Sequence, residues 1–194
     1  MVRPRTFDED GVLREIEQRF WDRGYAATSM SDLMSASGLG KGSLYAAFGD
    51  KEAVFSRVFD LYCDDAVGAV RVALDGPDES ALDRLQRYLL RAATRAGESD
   101  VQRACFLAKT TAELAAHRSE IAERSRRTFE ELVRILTACV ESAQRAGDID
   151  ARADPVRLGR FLLTTLRGLE ALAEAGLSKR VLLDAADTAI DVLR

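Results

Sequence analysis

Residues 28–48 read TSMSDLMSASGLGKGSLYAAF and hold the side chains best suited to contact with DNA. Lys41 and Ser43 are hydrogen-bond donors with side chains of different length. They lie within one turn of a short helix, with Gly42 between them. Tyr45 adds an aromatic hydroxyl that can reach a phosphate. Short polar residues at the start of a helix are what the major groove admits. The pattern predicts contact with double-stranded DNA, not catalysis.

The elements around this helix must hold it at a fixed angle. A preceding short helix presents Met30, Leu33 and Met34 on one face, and either Thr28 or Ser29 can cap it. A turn with small residues, ending at Gly38, lets two helices approach closely. Two short helices joined by such a turn form a helix-turn-helix unit.

The rest of the chain has helical periodicity throughout, so the fold class is predicted to be all-α. Nine helices are expected, three short and then six longer, with the later ones at 51–74, 79–96, 100–116, 119–146, 155–175 and from 178. The boundary between a DNA-binding domain and a ligand-binding and dimerisation domain is placed between 1–50 and 51–194. In the eighth helix the charged residues form one stripe, which we expect to face outward, and the remaining circumference is apolar. The stripe is Arg157, Arg160, Arg167, Glu170 and Glu174.

Composition limits the other classes of function. The net charge is -4, and three cysteines and one histidine form no metal-binding pattern. We therefore expect no metal, no cofactor and a reducing cytoplasm, with no membrane span and no secretory signal. Residues 1–51 carry seven basic and eight acidic side chains, so the DNA face must collect the basic ones, and we assign Arg3, Arg5, Lys41 and Lys51 to it.

Residues 10–55 resemble the DNA-binding domain of the TetR/AcrR family of transcription regulators. The matching positions are Phe20, Gly24-Tyr25, Thr28-Ser29, Gly38-Leu39, Lys41-Gly42-Ser43-Leu44-Tyr45, Phe48 and Lys51-Glu52-Ala53. The resemblance implies DNA contacts from Thr28, Lys41, Gly42, Ser43, Tyr45 and Lys51, and core positions for Leu44 and Phe48. The chain departs from the family pattern at Gly40, Ala46 and Ala47. Affinity is therefore expected to depend more on Ser43, Tyr45 and the arm that carries Arg3 and Arg5.

The resemblance also implies an effector pocket among helices four to eight, and a homodimer through helices eight and nine. We expect the pocket near Tyr62, Cys105, Phe106, Lys109, Phe129, Phe161 and Thr165. Cys105 resembles the cysteine by which one branch of the family senses electrophiles. Cations at Arg103 and Lys109 would lower the pKa of its thiol, whereas burial would raise that pKa and leave Cys105 as core packing.

The expected function is a one-component transcription regulator, a repressor released from palindromic operator DNA by a small molecule or an electrophile. The alternative is a helical dimer that binds a ligand or a protein and has little specific affinity for DNA. No enzyme motif is present, so an enzyme is not expected.

Overall fold

The computed structural model describes residues 8–96 and 105–194, and within these ranges the chain is helical with no strand. The α-helices in chain order are α1 Glu9–Arg23, α2 Met30–Ser37, α3 Lys41–Phe48, α4 Lys51–Leu74, α5 Ala81–Ala96, α6 Phe106–Leu114, α7 Ser119–Ala146, α8 Pro155–Glu174 and α9 Lys179–Asp191. The predicted all-α architecture is confirmed, but the predicted order of three short and then six longer helices is not, because α1 has 15 residues whereas α6 has 9 and α9 has 13. No helix in the described ranges is long and apolar enough to cross a membrane.

Local signals fix the first three helices. Asp8 caps α1 by accepting the amide of Asp10 at 3.1 Å. At α2 the cap is Ser29, not Thr28, because Ser29 and Asp32 each accept the other's backbone N–H in a capping box. Gly38 then ends α2 with φ of 65°, a left-handed conformation that glycine adopts without strain. The chain can therefore turn sharply into α3.

The long α4 leaves the helix-turn-helix unit and joins a bundle built from α5 to α9. Arg84 on α5 closes the turn after α4: its Nε donates to the Leu74 carbonyl oxygen at 2.9 Å and its Nη1 to that of Pro77 at 2.6 Å. The Leu74 carbonyl belongs to the last turn of α4, where carbonyl oxygens have no amide partner within the helix. The turn therefore holds α5 against α4.

Helices α7 and α8 cross closely because Gly159 on α8 has no side chain. A Cβ there would lie 3.1 Å from the backbone nitrogen of Thr137 and 3.2 Å from the carbonyl oxygen of Val133. Both are closer than ordinary van der Waals contact allows. The buried position of Gly159 thus sets the distance between α7 and α8.

The predicted bounds of α7, 119–146, are confirmed, but two predicted helix starts were wrong. The sequence predicts the fifth helix from residue 79, whereas a 3-10 turn, Asp78–Ser80, occupies that position and α5 starts at Ala81. Helix α6 starts at Phe106, so Cys105 lies at its N-cap and not within it. The earlier part of the predicted sixth helix, with Arg103, lies outside the described residues.

Candidate nucleic-acid interface and effector cavity

One face of α3 is exposed and polar, and the other is buried. Lys41, Ser43 and Tyr45 are exposed, with 43% of Tyr45 accessible, while Leu44 and Phe48 are buried in the core. Gly40 precedes α3 and supplies no side-chain cap, so the first amides of the helix have no side-chain acceptor from it. Free amides at a helix N-terminus attract anions. The surface of α3 therefore offers donors to a phosphate or a base edge.

Two residues expected at this surface bond to backbone groups of the protein. Thr28 is buried, and its hydroxyl donates to the carbonyl oxygen of Gly24 at 2.7 Å, so its side chain faces the protein interior. Lys51 is half-buried, and its ammonium donates to the carbonyl oxygens of Tyr25 and Thr28, both at 2.9 Å. In this conformation the Thr28 side chain does not reach the exposed surface of α3. Lys51 braces the loop between α1 and α2. Arg3 and Arg5 lie outside the described residues.

The same loop is held from the other domain by α6. Glu113 accepts the amides of Tyr25 and Ala26 at 3.1 and 3.0 Å, and Lys109 donates to the carbonyl oxygen of Trp21 at 2.7 Å. We call these two residues, Lys109 and Glu113, the α6 clamp. Bonds between charged side chains and backbone groups are stronger than neutral ones, so the clamp ties the reading unit to α6.

Aromatic side chains surround the start of α6. The ring of Tyr62 lies 5.3 Å from that of Phe106 and 5.4 Å from that of Trp21, both edge to face. The Tyr62 hydroxyl is 3.5 Å from the Cys105 sulfur. Burial and the neighbouring thiol hold the pKa of Tyr62 well above its usual value. Three of the predicted effector residues, Tyr62, Cys105 and Phe106, are thus in one cluster.

A charged pair on α8 lies beside this cluster. Arg167 donates from Nη2 to Glu170 at 2.9 Å, and both side chains are about one-fifth exposed. Nε and Nη1 of Arg167 and Oε2 of Glu170 are buried with no oxygen or nitrogen partner in the described part of the chain, and the Cys105 thiol interacts with the Arg167 guanidinium. Burial raises the pKa of Glu170, and the Arg167 charge opposes that rise only in part. The expectation that these two residues face outward with the charged stripe was wrong.

A cavity of about 690 Å³ connects the charged pair with the α6 clamp. Its walls come from α1, α6 and α8, and include Gly24, Lys109, Glu113, Arg167 and Glu170. This size suits a small organic ligand. A molecule in the cavity would touch both the bundle and the end of α1.

The other predicted effector residues lie elsewhere. Phe129 lines a second groove of about 760 Å³ with Val133 and Val156. Phe161 is 38% exposed on the outer face of α8, and Thr165 is half-buried. The aromatic type of Phe129 and Phe161 does not by itself distinguish an inner from an outer helix face.

Arg167, Glu170 and Glu113 were not predicted from the sequence. A charged side chain is normally predicted to be exposed to solvent, because burial of a charge is usually unfavourable. One signal was available for the pair. Arg167 and Glu170 lie one residue after Leu166 and Leu169, two of the buried positions of α8, so they flank its inner face.

Two family models match the chain. The one described as bacterial regulatory proteins, tetR family, covers residues 12–58, and the one described as tetracyclin repressor-like, C-terminal domain, covers residues 81–189. The HTH-type transcriptional repressor ComR of Escherichia coli is 30% identical over 97% of this chain and 90% of its own length. The uncharacterized HTH-type transcriptional regulator YezE of Bacillus subtilis is 25% identical over the whole of both chains.

Solved structures give the same result. The TetR family regulator CifR, a cysteine mutant in complex with 26-base-pair operator DNA, aligns at a TM-score of 0.77 and 28% identity over 99% of this chain and 100% of its own. Reduced NemR of Escherichia coli aligns at a TM-score of 0.81 over 93% of both chains, at 18% identity, and shows the fold alone.

Proposed function

We propose that this chain, which belongs to the tetR family of bacterial regulatory proteins, is a dimeric repressor that leaves its operator when a small molecule binds the bundle. Its family consists of DNA-binding transcription regulators and not of enzymes. The observation that carries the proposal is the exposed polar face of α3, held in place by the buried Leu44 and Phe48. A related regulator of similar fold is named in complex with operator DNA.

The proposed DNA contacts are Lys41, Gly42, Ser43 and Tyr45 from α3, together with Arg3 and Arg5 from the N-terminal arm. Lys51 is a further candidate, because an ammonium has three protons and two are used in the loop. Ser43 is short enough to contact a base edge in the groove. Tyr45 is rigid enough to place its hydroxyl on a phosphate. The boundary at residue 50 remains our proposal for the domain division, as does a cytoplasmic location.

The proposed dimer interface is an exposed stripe on α8 and α9. Phe161 and Leu172 are 38% and 43% exposed on α8, and Val181 and Val192 are 42% and 62% exposed at α9 and its end. Between them lie the small exposed residues Gly168 and Ala185, with Thr164 and Thr188. Large apolar groups around small ones allow two helix pairs to pack closely. A second copy of the chain would then complete a four-helix interface.

Release would act through the α6 clamp. A two-fold dimer fits two half-sites about 34 Å apart, roughly one turn of DNA. The clamp joins α6, which borders the cavity, to the loop that carries α2 and α3. A ligand that favours another position of α6 would change the spacing of the two α3 helices, and its differential affinity for the two states would equal the coupling.

A reporter assay tests the proposed function. A promoter that carries a DNA fragment selected by the purified protein is placed before a reporter gene, with and without the chain. We expect the chain to lower the output several-fold and the Lys41→Ala/Ser43→Ala variant to restore it. Unchanged output, with a folded dimer that binds no duplex at low salt, would favour the helical scaffold instead.

A further inference from the structure

The part of α3 that points most directly away from the protein consists of two small residues, Gly42 and Ala46. Leu44 and Phe48 are buried in the core, and each follows one of the two by two positions. Two positions correspond to about 200° around an α-helix, so Gly42 and Ala46 lie opposite the buried residues. Both are exposed, and since they are four residues apart they lie one above the other. We call these two residues the outer line of α3.

Polar side chains lie on the flanks of the outer line. Ser43 follows Gly42 on one side, Tyr45 precedes Ala46 on the other, and both are exposed. When a helix lies in the major groove, its outermost residues face the base edges and its flanks face the walls of the groove. The atoms of α3 nearest to the bases would therefore be carbon atoms, the Cα of Gly42 and the Cβ of Ala46.

The fold itself does not require glycine at position 42. A Cβ there would meet nothing within 4 Å among the described residues, and the φ angle of Gly42 is not positive. Glycine is less favourable than alanine in a helix, so Gly42 lowers the stability of α3 without relieving a steric conflict. The missing side chain does allow another molecule to approach the helix backbone closely. This observation points to a partner surface outside the protein.

The chemistry of Ala46 selects one base. Its methyl group neither donates nor accepts a hydrogen bond, so it cannot read the polar atoms of a base edge. Among the four bases, thymine alone presents a methyl group, at C5, in the major groove. Contact between two methyl groups removes apolar surface of both from water. A methyl group at this place on α3 therefore favours thymine.

We propose that Ala46 determines specificity for a thymine in each half-site by packing its methyl group against the thymine C5-methyl group. Gly42 allows α3 to lie deep enough in the groove for this contact. The inference rests on the proposed function, because it requires α3 to lie in the major groove. The family of the chain identifies the ligand as double-stranded DNA, and the outer line of α3 adds the base.

Deoxyuridine tests the contact, because it differs from thymidine only in the C5-methyl group and pairs with adenine in the same way. An operator is first selected from a random duplex library with the wild-type chain. Each thymine is then replaced by deoxyuridine at both symmetric positions, and affinity is measured by fluorescence anisotropy. At one position or more we expect a loss of about tenfold, since one buried methyl group contributes a factor of about three to four in each half-site.

The variant Ala46→Gly removes the methyl group of the protein. At one sensitive position it should bind thymine and deoxyuridine operators equally well. Ala47→Gly is the matched control, because it makes the same change at the next, half-buried position of α3, and it should keep the preference for thymine at every sensitive position. A ratio of two affinities measured with one protein is not altered by a general loss of stability. A preference that Ala46→Gly retains at all positions, or none in the wild type, would overturn the proposal.

The variant Gly42→Ala tests the close approach separately. It should raise the thermal midpoint through helix propensity, yet weaken operator binding about tenfold or more, because the added methyl group overpacks the interface. Gly68→Ala on α4, where a Cβ also meets nothing within 4 Å, should leave DNA affinity unchanged. Full operator affinity of Gly42→Ala would contradict the close approach. If the wild type enriches no sequence, the proposed function fails and this inference with it, whereas an operator without a methyl-sensitive thymine contradicts this inference alone.

Discussion

Glu113 lies on α6 and accepts the backbone N–H of Tyr25 at 3.1 Å, so a helix of the regulatory bundle directly caps a loop of the reading unit. The same carboxylate accepts the amide of Ala26 at 3.0 Å, and a Cβ at Gly24 would lie 2.9 Å from it. Eighty-eight residues separate the two partners in the chain. The contact makes α6 a direct link between the cavity beside Arg167 and the helix-turn-helix unit.

Removal of this link should uncouple the two parts. Glu113→Ala removes the acceptor of two amides at an exposed site where water can replace it, and we expect a loss of unfolding free energy of about 0.5–1.5 kcal/mol. The variant should also show a weaker effect of effector on DNA affinity. Urea denaturation and DNA titration measure both, with Glu141→Ala at an exposed position of α7 as the control. Unchanged coupling in a destabilised Glu113→Ala protein would show that the clamp is only structural.

If α3 contacts DNA, substitutions on α3 should weaken operator binding, whereas a substitution at a remote basic residue should not. Lys41→Ala should weaken operator binding about tenfold and reduce the slope of log affinity against log salt by about one, since one phosphate contact is lost. Tyr45→Phe should weaken binding less, because only the hydroxyl is removed. Fluorescence anisotropy at several salt concentrations measures both effects.

The matched control is Arg152→Ala. Arg152 is exposed and forms an ion pair with Asp150, after the end of α7. The same end of the bundle holds the ion pair between Arg145 and Asp78, and Asp78 follows the end of α4. The 24 residues of α4 separate that end from α3. Its removal should leave DNA affinity unchanged. A loss equal to that of Lys41→Ala would indicate a general effect of charge.

If the exposed stripe on α8 forms the dimer interface, a charge introduced there should prevent dimerisation. Leu172→Glu and Phe161→Glu should yield monomers, since a carboxylate in an apolar interface has no partner. Val72→Glu, at a position of α4 that is 79% exposed, should remain dimeric. Light scattering after size exclusion distinguishes them. A dimeric Leu172→Glu protein would exclude this face.

The apolar positions of α8 include Leu162 and Leu166, and the structure places both in the core of one subunit. This periodicity predicts the burial of α8 correctly but not which neighbour covers each face. The fold class, the helix-turn-helix and most helix ends follow from local caps, glycines and spacing. The cavity does not, because it depends on the partial burial of Arg167 and Glu170 and on the contact of the exposed Glu113 with a distant loop, and both come from packing between distant helices.

Close packing at Gly159 predicts a stability loss. Gly159→Ala brings a methyl group against the backbone of α7, so the helices must separate, and we expect a loss of about 1–3 kcal/mol. Gly68→Ala is the control, because a Cβ there meets nothing within 4 Å. It should raise stability by up to about 1 kcal/mol through helix propensity. Urea denaturation of both variants checks the difference, and equal effects would refute the packing role.

Glu17 predicts a dependence of stability on pH. Burial, and to a lesser degree Asp65, raise its pKa to about 7, so the folded state holds a proton that the unfolded state releases near pH 4.5. Stability from this group is therefore present below pH 4.5 and lost as the pH rises through 7, by on the order of 1–2 kcal/mol, since partial exposure reduces the effect. Glu17→Gln should flatten the profile between about pH 4.5 and about pH 7.5. A profile unchanged by the substitution would exclude Glu17 as its source.

Selection of bound DNA from a random duplex library tests the central claim, that α3 of a dimer reads an operator. The purified wild-type chain is used at physiological salt, with Lys41→Ala/Ser43→Ala in parallel. We predict enrichment of a palindrome whose half-sites lie about one helical turn apart, and its loss with the variant. Absence of any enriched sequence with the wild type, or the same palindrome enriched equally by the variant, would contradict the account.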